Sequence, residues 1–370
     1  MLKYTFIFFV IVGIMTKTNA NSFTTEQQLS SRYVSEIADF WQQGKFAHFN
    51  GVKNIRINYA TFSHNDNSTQ SEHNNEAVSH RKCLIIASGR SEGYLKYQEL
   101  SFDLFNLGFN IFLIDHRGQG LSERLLANTQ KGYVESFQYY VDDLGTFIEK
   151  IVNPHCTVNG VNKPYLLAHS MGGAITARYL QDYPNQIQAA VLSSPMLGFN
   201  SGGIPDMIAR SLIKTTAQLN HWFDNTPWYF FGQSDFDKKA KAFNDFESNN
   251  LMHSAIRFQQ FTQLYQQTPA IQLGGVTVQW LSESIKALDT IFSNIDKITT
   301  PTLVIQASDD KIVNNQAQND FCQQLHQSHT QSCPSGKPLV VKGGYHELFF
   351  ESDIYRQQAL SAAIAWFEQH

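Results

Sequence analysis

The sequence predicts an α/β protein: a mostly parallel, doubly wound sheet with a helical insertion over one end of it. Three observations predict this. Six short apolar runs, CLIIAS, FNIFLID, YLLAH, AAVLSS, TLVIQA and PLVVKG, read as strands buried on both faces. Helical patterns such as YQELSFDLFNLG and FQYYVDDLGTFIEKIV lie between several of them, the alternation expected of a parallel sheet. The rhythm breaks after Ser193–Asn200 and resumes near Thr300, and the stretch between is helix-like and aromatic.

The chain opens with Lys3, an apolar run from Tyr4 to Met15, and the small-residue flank Thr18-Asn19-Ala20. That is the pattern of an export signal over residues 1–20. The run is shorter than the roughly 20 apolar residues a bilayer requires, so cleavage is expected, with an uncleaved anchor as the alternative because TKTNA is only a fair cleavage site. The protein is therefore expected to be exported, periplasmic or secreted. Residues Thr24–Gln43 carry Leu29, Tyr33, Val34, Ile37 and Phe40 at helical spacing and predict one N-terminal helix. KNIRINYATF alternates as a strand does. The polar stretch after it holds His64, His73 and His80 without the fixed spacing of a ligand set, and reads as a solvated loop. The expected division is a first core part over residues 21–196, the insertion over 197–298, and a second core part over 299–370.

With 42% hydrophobic and 16% charged residues the chain has material for a large core. A net charge of −4 argues against nucleic acid as a partner and against adhesion to anionic lipid by charge alone. Of the four cysteines, Cys83 lies in a buried-strand pattern and reads as a small core residue. Cys322 and Cys333 flank QQLHQSHTQS and could close a local disulfide, with Cys156 as the other candidate partner. No Cys/His spacing suggests a metal, and no cofactor is expected.

The segment LLAHSMGGAITARYL places Ser170 at the hinge between a strand and a helix. A strand turning sharply into a helix exposes its turn residue at the C-terminal edge of the sheet, and the crowded turn demands small residues two positions away on each side. Ala168 and Gly172 meet that demand. This is a nucleophile elbow, with Ala for the first Gly of G-x-S-x-G. A serine nucleophile needs a base, and the base an acid, in the order Ser, Asp/Glu, His along this kind of chain. TLVIQASDDKIV supplies Asp309 and Asp310 after one strand, and PLVVKGGYHELFF supplies His346 after the next. Asp310 is preferred, with Asp309 capping the turn. The oxyanion donors should be the N–H of Met171 at the helix start and that of Arg90 in ASGRSEGYLKY, where Gly89 lets the backbone approach a substrate.

The elbow AHSMGGAI, the loop DHRGQGLSE (Asp115–Glu123), GRSEGYLKYQEL and the terminal YHELFFE resemble the bacterial lysophospholipases related to monoacylglycerol lipases, a branch of the α/β-hydrolase fold. By physics alone, DHRGQG is only a Gly-rich turn. The resemblance implies hydrolysis of the single acyl ester of a lysophospholipid or monoacylglycerol through an acyl-enzyme on Ser170, with Asp310 and His346 completing a catalytic triad. Ser88 where monoacylglycerol lipases usually have His, and Ala168 where they have Gly, point to the lysophospholipase branch.

The insertion supplies candidates for an apolar wall. Trp222, Phe223, Trp228, Tyr229, Phe230 and Phe231 are packed into LNHWFDNTPWYFFG, and of these Trp222, Phe223, Trp228 and Phe230 are the expected substrate contacts. Trp280, Leu281, Ile285, Leu288 and Ile291 form one helical stripe that either joins that wall or seals the insertion onto the core. Peripheral contact with a membrane would suit such a substrate. Rival readings are a small-ester carboxylesterase, a proline-iminopeptidase-like exopeptidase, which would need an acid such as Asp224, Asp235, Asp237 or Glu247 to hold an amine, and a non-catalytic lipid-binding protein.

Overall fold

The computed structural model describes residues 23–64, 82–156, 162–200, 202–224 and 226–370. The expected export signal, and His73 and His80, lie outside them. Eight strands form one sheet: β1 (Lys45–Asn50), β2 (Arg56–Phe62), β3 (Cys83–Ala87), β4 (Asn110–Ile114), β5 (Tyr165–His169), β6 (Ala190–Ser193), β7 (Thr302–Ala307) and β8 (Leu339–Val341). Their order is β1-β2-β4-β3-β5-β6-β7-β8. β1 and β2 pair antiparallel with each other and β2 with β4; all pairs from β4 to β8 are parallel.

The six apolar runs are the six parallel strands. β1 was not expected: KFAHFN is charged and aromatic, with four of its six residues exposed, so it carries no buried-strand signal. The expected N-terminal helix is two helices, α1 (Glu26–Tyr33) and α2 (Glu36–Gln42), broken where Ser35 leaves helical geometry and Val34 turns out to solvent at 80% exposure. Around the sheet lie α3 (Gln98–Asn106), α4 (Gln138–Phe147), α5 (Asn153–Cys156) and α6 (Met171–Asp182). Between β6 and β7 come α7 (Asp206–Phe223), α8 (Phe236–Phe243), α9 (Ala255–Gln267) and α10 (Val278–Ser293), and α11 (Asn315–Ser328) and α12 (Asp353–Gln369) complete the chain. The stripe on α10 seals: Trp280, Ile285, Leu288 and Ile291 are buried in one cluster with Ala174 and Ile175 of α6.

The strand order positions the site. The chain steps outward from β3 to β4 and then returns to the other side of β3 as β5, with Ala87 opposite Ala168. Ligand crevices in such sheets open where strand order reverses, beyond the carboxyl ends. The loop after β3 therefore faces the turn after β5, and the turns after β7 and β8 join them at the same edge.

Both disulfides are local to the core. Cys322–Cys333 forms as one of the sequence alternatives. Cys83 is not a free core residue, because α5 returns across the start of β3 and bonds it to Cys156, with the two Cα atoms 5.9 Å apart. That bond spans 73 residues. Replacing both cysteines by alanine should cost about 4 kcal/mol of stability by loop-closure entropy, read as a lower denaturation midpoint under non-reducing conditions.

Candidate functional site

Ser170 sits at φ 50°, ψ −117°, a left-handed conformation held by its neighbours. Its N–H donates to the Ser193 carbonyl at 3.1 Å, and its carbonyl accepts from Gly173 and Met196, each at 2.9 Å. Glycine at 172 is obligatory: a Cβ there would run into the backbone carbonyls of Ala87 and Ser88 on the adjacent strand end. Gly172→Val should thus abolish soluble expression or lower the melting temperature sharply, since the obstruction is backbone and cannot yield.

His346 follows β8 on a tight Gly343-Gly344 turn, Gly343 at φ 81°. The imidazole Nε2 lies 3.0 Å from Ser170 Oγ, and Nδ1 lies 2.7 Å from Asp310 Oδ2. The other Asp310 oxygen accepts backbone N–H bonds from Ile312 at 2.7 Å and Val313 at 3.1 Å. Burial opposes ionisation of Asp310, but the imidazole and these two donors outweigh it and hold the carboxyl below its usual range. Asp309 points elsewhere and accepts from the Ser308 hydroxyl. The structure thus brings Ser170, His346 and Asp310 together from three strand ends.

The loop after β3 is fixed one peptide at a time. Gly89 N–H donates to Glu92 Oε2 at 2.6 Å, and the Gly89 carbonyl accepts from Gln119 Nε2 at 2.7 Å. The same Nε2 reaches the Glu92 carbonyl at 3.0 Å, while Gln119 Oε1 accepts from Ser91 N–H at 3.3 Å. Gln119 belongs to DHRGQG, so that motif is more than a turn: it splints the loop carrying Arg90. The motif's Asp115 accepts from the backbone N–H groups of Tyr94 and Leu121, and its Arg117 is paired twice with Asp143. Sequence reasoning missed Gln119 because its partners are backbone groups 27 and 30 residues away. Met171 begins α6, where helix geometry leaves the N–H without an intrahelical acceptor.

Beneath the loop lies a buried ionic cluster. Lys96 Nζ is 2.6 Å from both Glu92 Oε1 and Glu347 Oε2, and Tyr97 Oη donates to Glu92 at 2.6 Å. Burial raises the Glu92 carboxyl, yet Lys96 beside it, with His169 and Tyr97, brings it down to about 2. For Glu347 burial wins, and its carboxyl sits above the ordinary value. Burial pushes the His169 imidazole down to about 3, so it is neutral near pH 7. Glu92, His169 and Glu347 lie close enough to hold a metal ion in number and kind, but the Lys96 ammonium already bonds both carboxylates and supplies the cation.

A cavity of about 290 Å³ opens onto Ser170. Gly89 and Arg90 line it, as expected, but its aromatic wall comes from Phe236 and Phe243 of α8 and Phe261 and Tyr265 of α9. Trp222 and Phe223 are 67% and 75% exposed at the end of α7, and the Trp228 indole donates to Asp224 at 3.0 Å. None of the three lines the cavity. Phe230 lines a second, neighbouring apolar cavity of about 300 Å³. The cluster was misplaced because density of aromatics in sequence does not say which way a helix faces; α7 turns its ring-bearing end outward.

The chain matches the family described as serine aminopeptidase S33 (Hydrolase_4) over residues 78–353. It is 36% identical to lysophospholipase L2 of Escherichia coli (strain K12) over 347 residues, covering 94% of each chain. It is 30% identical to a probable lysophospholipase L2 of Haemophilus influenzae, over 89% of this chain and 94% of that protein. A solved monoglyceride lipase from Saccharomyces cerevisiae superposes with a TM-score of 0.62 at 15% identity, over 88% of this chain and 94% of that one. A relay of serine, imidazole and carboxylate on an eight-stranded, mostly parallel sheet, and these relatives, place the chain in the Hydrolase_4 family of α/β-hydrolases, as a carboxylic ester hydrolase of the lysophospholipase and monoacylglycerol lipase type.

Proposed function

We propose that the protein hydrolyses the acyl ester of lysophospholipids, through an acyl-enzyme on Ser170. The observation that carries this reading is the Ser170–His346–Asp310 relay opening into a cavity walled by Phe236, Phe243, Phe261 and Tyr265. His346 Nε2 takes the hydroxyl proton as Ser170 Oγ attacks the ester carbonyl. Asp310, ionised, keeps Nδ1 protonated and stabilises the imidazolium. The N–H groups of Arg90 and Met171 receive the oxyanion; losing one such donor costs about 10²- to 10³-fold in kcat. His346 then gives its proton to the leaving glycerol oxygen. Water, deprotonated by the same imidazole, releases the fatty acid and restores the serine.

Among the rival acids for an exopeptidase, Asp224, Asp235, Asp237 and Glu247 all lie off the cavity wall. Purified protein given lysophosphatidylcholine, monoacylglycerol, p-nitrophenyl butyrate and prolyl-naphthylamide should release fatty acid fastest from the lysophospholipid and leave the amide intact. Faster turnover of the monoacylglycerol would move the substrate assignment to that class.

Two further parts of the reading concern place. Export is supported by the signal-like pattern of residues 1–20 and by pairing of all four cysteines in disulfides, bonds that persist in oxidising compartments. Cell fractionation with thiol labelling tests it: protein found in the cytosol with four reactive thiols would refute it. Contact with a lipid surface is supported by α7, which exposes Met207, Ile208, Leu212, Trp222 and Phe223. No described helix is long and apolar enough to cross a membrane. Trp222→Ser with Phe223→Ser should weaken binding to phosphatidylcholine vesicles at least about tenfold, with turnover of soluble short-chain esters unchanged.

A further inference from the structure

The loop that offers Arg90 N–H is held from two sides. From the core side Gln119 and Glu92 grip the peptides on either side of Gly89. From the other side come two groups of the β6–β7 insertion. Tyr265 of α9 donates its hydroxyl to the Ser91 carbonyl at 2.5 Å, and the Arg90 guanidinium reaches out to the Gly274 carbonyl, also at 2.5 Å. The guanidinium also donates to Ser91 Oγ at 2.9 Å and lies 5.5 Å from the centre of the Trp280 ring on α10. Burial lowers its pKa only to about 10, and burial raises that of Tyr265, so both remain donors near neutral pH.

The bonds are needed because the loop is strained. Ser91 has φ 64°, a left-handed conformation that a residue with a Cβ avoids unless its surroundings enforce it. Its carbonyl is in the peptide next to the one bonded by Gln119 Oε1, so releasing Tyr265 frees the strained residue on one side. The insertion itself is clamped to the core by Arg257 of α9, whose guanidinium is bidentate to Glu99 at 2.8 to 3.1 Å. Its seat is therefore firm, and the two contacts convey that seat to the backbone beside Ser170.

We infer that the Tyr265 hydroxyl and the Arg90 guanidinium are positioning groups that complete the oxyanion hole only while the insertion is seated on the core. They do not touch the reacting atoms. They hold Ser91 in its strained turn and so aim the preceding N–H at the ester oxygen. The inference rests on the proposed role of the Arg90 N–H.

The test uses Tyr265→Phe, which removes one hydroxyl, together with Arg90→Met, which keeps the backbone N–H, and Arg90→Lys, whose ammonium can still reach the Gly274 carbonyl. Each variant is first shown to be folded by its melting curve, and Tyr265→Phe alone suffices if Arg90→Met does not fold. The readouts are kcat and KM on p-nitrophenyl acetate and laurate, and Ki for a trifluoromethyl ketone, whose hemiketal with the Ser170 hydroxyl places an oxyanion in the hole. The expected result is a fall in kcat of about 10- to 100-fold on both esters with KM little changed, a parallel rise in Ki, and partial recovery in Arg90→Lys. A change confined to KM on the laurate ester would make these groups mere cavity wall and overturn the inference. So would unchanged kcat on the acetate. Residual turnover in Ser170→Ala equal to wild type would instead overturn the proposed function, a distinct outcome.

Discussion

Ser170→Ala is expected to lower kcat for lysophospholipid hydrolysis by about 10⁴- to 10⁶-fold while the melting temperature stays within a few degrees of wild type. The hydroxyl accepts or donates a single bond, to His346, and the left-handed backbone around it is held by main-chain partners that alanine keeps. His346→Ala should fall about as far, and the double variant little further, because the two act as one unit. Steady-state turnover with radiolabelled substrate measures both. Loss of labelling by a fluorophosphonate in Ser170→Ala, with labelling merely slowed in His346→Ala, separates nucleophile from base. A fall of less than about a hundredfold in Ser170→Ala would mean that another nucleophile acts.

The second large effect is on stability. Lys96→Met should destabilise the fold by about 3–5 kcal/mol at pH 7, since it leaves Glu92 and Glu347 facing each other in the interior without their shared ammonium. The pH dependence has a definite sign. In the wild type Glu92 is held down at about 2, so its contribution is complete above its unfolded-state value and fades as pH falls from there toward 2. Glu347, raised by burial, contributes in the opposite sense and offsets part of it. In the variant both carboxyls must be raised, because burial and mutual repulsion favour the neutral form. The deficit relative to wild type should therefore shrink as pH falls from 7 to 4. Melting curves of both proteins across that range measure it, and a constant difference would refute the account.

Much of the core was legible because its physics is local. An apolar run of five residues bounded by turn residues is a buried strand whatever follows, and the small residues around Ser170 report a steric demand visible within five positions. Asp310 and His346 could be placed because each follows a recognisable strand. What escaped was set by orientation or by long-range partners. KFAHFN forms an edge strand only because KNIRINYATF lies beside it. Cys83 carried an apolar context that hid its bond to Cys156, 73 residues on. Helix α7 is amphipathic on either reading, and only packing decides that Trp222 and Phe223 face out while Phe236 and Phe261 face Ser170. Lys96 and Glu347, 251 residues apart, look like ordinary surface charges until the fold puts them in contact.

Helices α7 to α10 depart from the sheet after β6 and rejoin it at β7, and those two strands are immediate neighbours. Because the two run parallel, the chain leaves at the carboxyl edge of the sheet and crosses back along α10, packed on α6, to begin β7 at the opposite edge. A segment of different length or curvature can be hung there without rethreading a single strand, and the polar machinery, which comes from the ends of β3, β5, β7 and β8, would keep its spacing. Selectivity for acyl group and alcohol is in that sense an exchangeable fitting on a fixed frame. Chimeras that swap only this segment should change which ester is preferred, and the contacts of Arg90 and Tyr265 mark where a transplant must be matched to its host.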